Sequence, residues 1–167
     1  MPTEVSAEFL EKSRSLLQEY VPKIERCLEH LSDEDVWWRP NEAANSIGNL
    51  VLHLCGNVTQ WIIGGVGDRE YVRHRQQEFD ERTQIPSEEL LRRLNAVVEE
   101  ADEILAGLDR SALLSIRTIQ NYHVTVLDAI YHVVEHFSMH TGQIILLTKA
   151  RTGTDLKLWQ PVDRASV

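Results

Sequence analysis

Histidine is the residue whose spacing suggests chemistry. His136 and His140 stand four apart in a segment with helical periodicity, and residues four apart on an α-helix carry Cβ atoms roughly 5–6 Å from each other. Two imidazoles so placed converge on one ion at about 2.0–2.1 Å. Two ligands make a weak site, so a third must come from another helix. His53 is the candidate. It borders the apolar stripe Ile47, Leu50, Leu54, Val58 and Trp61, among Asn49, Gly56, Asn57 and Gln60. That edge is polar but uncharged, unlike a solvated helix face, which carries Lys or Glu. It has the composition of a buried cavity rim. Gly56, about one turn from His53, leaves room for a ligand or another backbone.

Taken singly, each histidine also fits a hydrogen-bonded structural residue. Three imidazoles facing one core cost desolvation unless each finds a partner, and a shared cation satisfies all three. A second motif overlaps the first. His132-Val133-Val134-Glu135-His136 matches H-x-x-E-H, the inverted zincin pattern with Glu135 as general base. At 100° per residue His132 falls outside the apolar stripe and Glu135 faces water, which would leave His140 idle in the core. Asn57 and Gln143 either orient water and the ligands or make ordinary helix-face hydrogen bonds. Arg69, Arg73, Arg75 and Arg82 either clamp a substrate carboxylate or belong to a solvated loop, which their Asp and Glu neighbours favour.

Four helices must position these residues. The first runs from about Val5 to Leu31, with Pro22 expected to kink or split it. Trp37 and Trp38 then pack against the start of the second helix. That helix begins at Asn45 or Ser46, either a good N-cap, and stops at Gly64-Gly65. The third begins after Ser87, with Glu88 and Glu89 at the favourable end of its dipole, and ends near Leu108. The stretch 109–124 is β-tinged but too short for a sheet, so it reads as a crossover. The fourth opens on Thr125 and Asp128, a variant of the capping box. It closes at Gly153 behind Lys149 and Arg151. The apolar stripe of this last helix, Val126, Ile130, Val133, Phe137, Ile144 and Leu147, includes His140. The pattern is all-α, a four-helix bundle with at least one crossover.

A chain of 167 residues fits one domain spanning 1–167. The net charge of −9 argues against a nucleic-acid partner. It still allows a small anion held by local arginines. No basic-then-apolar leader opens the chain, so no secretory signal is expected. From Ala43 to Gly67 no Asp, Glu, Lys or Arg occurs, a length that could span a bilayer. Asn45, Asn49, His53, Asn57 and Gln60 make it a buried helix of a soluble protein instead, so no membrane partner is expected. Cys27 and Cys55 form neither a CxxC pair nor a ligand spacing, which fits two free thiols in the reducing cytoplasm.

The segment His136-Phe-Ser-Met-His140-Thr-Gly-Gln143-Ile resembles the H-x-x-x-H-x-G-Q-I signature of the DinB-like superfamily. Ser46-Ile-Gly-Asn-Leu-Val-Leu-His53, with Gly56-Asn57 behind it, resembles that family's second-helix motif. Trp37-Trp38-Arg39-Pro40 and the charged connection after Gly67 fit as well. The resemblance implies an up-down-down-up bundle, often dimeric, with a divalent metal ion, zinc or nickel, on His53, His136 and His140. It places His132 in a supporting shell, beside Asn57 and Gln143. Some such proteins are S-transferases that use bacillithiol or mycothiol, others metal-dependent isomerases or hydrolases, and the branch nearest this chain has no assigned reaction. The family name implies no DNA polymerase. The expectation is therefore a cytoplasmic homodimer acting as a metal-dependent transferase on a low-molecular-weight thiol and a small electrophile. A metal-dependent hydrolase, a non-catalytic metal-binding stress protein and a plain helical domain remain as alternatives. No catalytic residue beyond the ligands is assigned.

Overall fold

The computed structural model describes residues 3–159. Four long helices dominate: α1 (Thr3–Leu28), α3 (Ile47–Val58), α5 (Ser87–Ala106) and α6 (Val126–Thr152). Between them lie short α2 (Asp33–Val36), short α4 (Arg75–Asp80), a 3-10 turn (Arg110–Leu114) and the strands β1 (Ile116–Ile119) and β2 (Tyr122–Thr125).

Local chemistry fixes the ends of the two helices that matter most. Ser46 caps α3: its hydroxyl accepts from the Asn49 backbone N–H, and the Asn49 side chain accepts from the Ser46 N–H. Thr125 and Asp128 form the same reciprocal box at the start of α6, satisfying donors that the first turn leaves orphaned. At the other end Gly153 takes φ 67°, a left-handed conformation that costs glycine little, and α6 stops there.

Three expectations need correction. Pro22 does not split α1, because Leu17, Val21, Ile24 and Leu28 remain in one buried stripe and their packing offsets the lost hydrogen bond. The second helix does not stop at Gly64-Gly65. It continues as a π-helix over Thr59–Val66, with Gly67 N–H bonded to the Ile62 carbonyl five residues back at 2.8 Å. The two glycines serve close approach instead: a Cβ on Gly64 would lie 2.2 Å from the Tyr71 ring, and one on Gly65 would lie 2.3 Å from Ile119. The stretch 109–124 does contain paired strands, β1 and β2, in an antiparallel hairpin that runs from Ile116↔Thr125 to Ile119↔Tyr122. Gln120 and Asn121, both at positive φ, make the tight two-residue turn that such a hairpin requires.

α1 packs on α5 and α6, and α3 packs on the same two, closing the bundle. Residue pairs give the directions. Tyr20 stacks on Phe137 and Cys27 meets Thr148, so α1 and α6 run parallel. His53 meets His140 and Trp61 meets His132, so α3 opposes α6. Arg14 pairs with Asp102, while Ser87 bonds to Asp33 just beyond α1, so α5 opposes α1. This is the up-down-down-up order. Because α3 and α5 run the same way, the connection 67–86 must return along the bundle, and Asn49 on α3 binds its carbonyls at Glu78 and Glu81. Among the described residues no helix is long and apolar enough to cross a membrane.

Phe137 sits at the junction of this arrangement, fully buried between the two ligand positions of α6. Truncating it to alanine should cost about 3–5 kcal/mol, measured as a lower urea midpoint for Phe137→Ala. A loss under about 1 kcal/mol would show that the junction is not packed as described.

Candidate metal centre

α3 and α6 bring His53, His136 and His140 together as the sequence predicts. The Nε2 of His136 lies 3.1 Å from that of His53 and 3.2 Å from that of His140. One ligand atom from each ring falls within 4.8 Å of the others. Two ligands bound to an ion at about 2.1 Å are separated by about 3.0 Å at a right angle and about 3.4 Å at the tetrahedral angle. Both spacings from His136 lie between those values, and the three rings are close enough to hold a metal ion.

Hydrogen bonding on the far side of the rings sets the tautomers. His53 Nδ1 donates to Glu78 Oε2 at 2.8 Å, because a carboxylate can only accept. Arg73 Nη2 also approaches Nδ1, at 3.3 Å, but the shorter contact to the carboxylate decides the proton's place. His140 Nδ1 donates to Gln143 Oε1 at 2.7 Å. Both rings therefore turn an Nε2 lone pair towards His136. The Nδ1 of His136 is buried with no hydrogen-bond partner among the described residues. Three donor nitrogens aimed at one another are awkward for bare imidazoles and suited to a shared cation.

Electrostatics favour the same state. Burial, with the neighbouring His140, His53, His132 and Arg73 adding to it, pushes the His136 pKa down to about 3. Burial also lowers His140, against the opposing bond from Gln143. His136 and His140 thus favour the neutral form that metal binding requires. Burial alone would raise Glu78, but its bonds from Arg73 and His53 outweigh that and hold it below the usual carboxylate range.

Glu78 is the functional residue that the sequence did not reveal. It comes from the crossover with Arg73, whose Nε and Nη2 reach its two oxygens at 2.6 and 2.8 Å. Arg73 was expected in a solvated loop, yet its side chain is 5% exposed, because Glu78 neutralises it and Gln60 accepts from Nη1 at 2.7 Å. One sequence signal pointed here. The space left by Gly56 holds this ion pair: a Cβ there would come 2.0 Å from Glu78 Oε1.

The other expected residues sort by contact. Asn57 donates to His132 Nε2 at 3.4 Å, and His132 stacks on Trp61 at 4.4 Å. His132 Nε2 thus faces Asn57, and Glu135 is exposed, so the inverted zincin arrangement is not assembled. Asp128 serves the cap of α6. Arg69 pairs with Glu100, and Arg82 donates to the carbonyls of Phe79 and Glu81. Arg75, like Arg82, forms no ion pair with a carboxylate among the described residues. Arg75 lies 5.0 Å over the Phe79 ring, which in turn packs 4.6 Å from His53.

A cavity of about 460 Å³ opens beside the triad, lined by His53, His136, His132, Trp61 and Arg75 among others. That volume suits a small molecule. Cys27 and Cys55 are free thiols, as expected. Burial drives Cys55 up to about 12, so it stays protonated and unreactive.

The model of a family described as "Protein of unknown function (DUF1572)" matches residues 4–162. The structure is similar to that of a DinB-like protein from Bacillus cereus ATCC 10987, with 15% identity, a TM-score of 0.68, and coverage of 89% of this chain and 93% of that one. It is similar also to a conserved protein from Enterococcus faecalis, with 16% identity, a TM-score of 0.67, and coverage of 92% and 99%. At such identities the likeness is one of fold. No curated protein matches the chain.

The lowered histidines carry a pH signature. In the unfolded chain they take up protons near the ordinary value of 6.5, while folded His136 resists until about 3. Stability of chelator-treated protein should therefore be level above about pH 7 and fall as pH drops from 6.5 towards 3. Urea midpoints at pH 7.5, 6.0 and 5.0 check this. His136→Gln should flatten the slope, and an unchanged slope would contradict the burial argument.

Proposed function

We propose that this chain, which belongs to the DUF1572 family and has the DinB-like fold, is a metal-dependent transferase that joins a low-molecular-weight thiol to a small electrophile. The carrying observation is that three imidazole nitrogens converge at the wall of an open cavity. A divalent ion bound there supplies Lewis acidity, which brings a thiol or water nucleophile to neutral pH. Imidazole donors suit zinc and nickel.

The chain's own residues support this division of labour. His53 and His136 line the cavity, so an ion held by the triad would meet a substrate there. Neither cysteine can act as the nucleophile, since burial keeps Cys55 protonated and Cys27 is sealed in the core. The thiol must therefore arrive with the substrate. His132, whose neutral form burial favours, stands in the cavity wall, fixed by Trp61 and by the Asn57 amide that donates to its Nε2. Arg75 offers a cation for an anionic group on the substrate. Water in place of the thiol would make the same site a hydrolase. An ion that merely braced the bundle would not need the cavity.

Protein purified without added metal should contain about one zinc or nickel per chain by elemental analysis. His136→Ala should lower that content at least tenfold, the effect expected when one of three ligands is removed. The metal-loaded protein should consume at least one thiol–electrophile pair from a panel of biological thiols, at a rate that collapses in His136→Ala. Full metal retention in a His53, His136, His140 triple alanine variant would remove the site. Absence of turnover across the panel, with metal bound, would remove the transferase.

A further inference from the structure

The crossover 67–86 reaches the metal centre through one buried carboxylate. Glu78 is 11% exposed and accepts the Nδ1–H of His53 at 2.8 Å. Arg73, from the same segment, grips both of its oxygens and also holds Gln60 on the π-helical stretch. This ion pair lies across Gly56, where any larger residue would collide with it. Phe79 adds its ring against His53.

What holds the segment down is mostly polar. α4 has no fully buried residue. The segment's carbonyls at Glu78, Phe79, Glu81 and Ile85 accept from Asn49, Arg39 and Trp37. Glu78 and Arg73 bond to His53 and Gln60, Tyr71 accepts from Gln60 and Arg69 pairs with Glu100. A segment docked mostly by polar contacts opens more readily than one with a core of its own. The same segment carries Arg75 to the cavity wall.

We propose that Glu78 is a positioning residue for His53 and that docking of the crossover and binding of the metal reinforce each other. The inference rests on the three-histidine metal reading. The physical link is the His53 ring. A carboxylate on Nδ1–H holds the tautomer that frees Nε2 and makes that nitrogen a better donor. A cation on Nε2 withdraws charge from the ring and strengthens the Nδ1–H bond to Glu78. Linkage makes the effect reciprocal: the factor by which the docked crossover tightens metal binding is the factor by which metal tightens docking. Loss of such a partner lowers metal affinity about 10–100-fold.

The test uses the full chain and zinc alone as probe. Zinc affinity is measured by chelator competition for the wild type, Glu78→Gln and Glu78→Asp, with helicity checked by circular dichroism. Backbone hydrogen exchange over 67–86 is followed with and without zinc. Glu78→Gln should bind zinc about 10–100-fold more weakly at unchanged helicity, with Glu78→Asp in between. Zinc should slow exchange of 67–86 in the wild type and much less in Glu78→Gln. His136→Ala, which lacks a ligand but keeps Glu78, should exchange this segment like zinc-free wild type at every zinc concentration. Glu78→Gln affinity within twofold of wild type overturns the proposal, as does wild-type exchange over 67–86 that zinc leaves unchanged. The exchange measurement needs no variant and stands even if Glu78→Gln fails to fold. A wild type that binds no zinc or nickel at all would instead sink the metal reading itself.

Discussion

The structure turns on the meeting of three Nε2 atoms at the α3–α6 contact, spaced at 3.1 and 3.2 Å around His136. Imidazole rings do not gather in this way by attraction. A single Nε2–H on His136 can serve only one of its two neighbours, which leaves the other pair of lone pairs opposed, and burial strips the rings of water. The bundle has to impose the approach or a shared cation has to reward it. The means of imposing it are visible. Capping boxes at Ser46 and Thr125 fix where each helix begins. Phe137, fully buried against Tyr20, fixes how α6 is rotated. With those set, residues 136 and 140 can only face His53.

Topology then supplies what the two helices lack. Parallel α3 and α5 oblige the chain between them to retrace the bundle, and that return path passes over Gly56. A hairpin connection would have left the far side of His53 to solvent. The crossover instead lays Glu78 and Arg73 there, so His53 is backed by a carboxylate while His140 is backed by an amide. The π-helical stretch has a part in this too. Its wider winding carries Gln60 to Arg73 and Trp61 to His132, and Arg73, Trp61 and His132 all line the cavity. Such windings recur beside functional sites.

The charge pattern has the same logic. Arg73 brings a full positive charge within reach of the triad, and Glu78 cancels it, so the ligand nitrogens face neither a bare cation nor a bare anion. Burial favours the neutral form of His136 and His140 and keeps the Cys55 thiol protonated. The chemistry left available is that of a three-nitrogen donor set beside a cavity whose wall carries Arg75 and Asp128.

The grouping of His53, His136 and His140 was legible in the sequence because a helix has a fixed pitch. A spacing of four positions from His136 to His140, and an uncharged edge around His53, place the rings before any tertiary contact is known. The same regularity gave the caps, the Gly153 stop and the all-α class. Pro22 and Gly64-Gly65 misled for one reason: a local breaker signal says what the backbone prefers alone, and core packing overrode it. Glu78 itself could not be read, although Gly56 marked the space it fills. It lies 25 positions from His53 in a connection without periodicity, where no repeat ties sequence distance to spatial distance. Its role exists only because α3 and α5 point the same way and the chain must come back between them. Helical pitch is written locally and survives in the sequence. Which side chain backs a ring from across the bundle depends on how whole helices are ordered, and only the folded chain decides that.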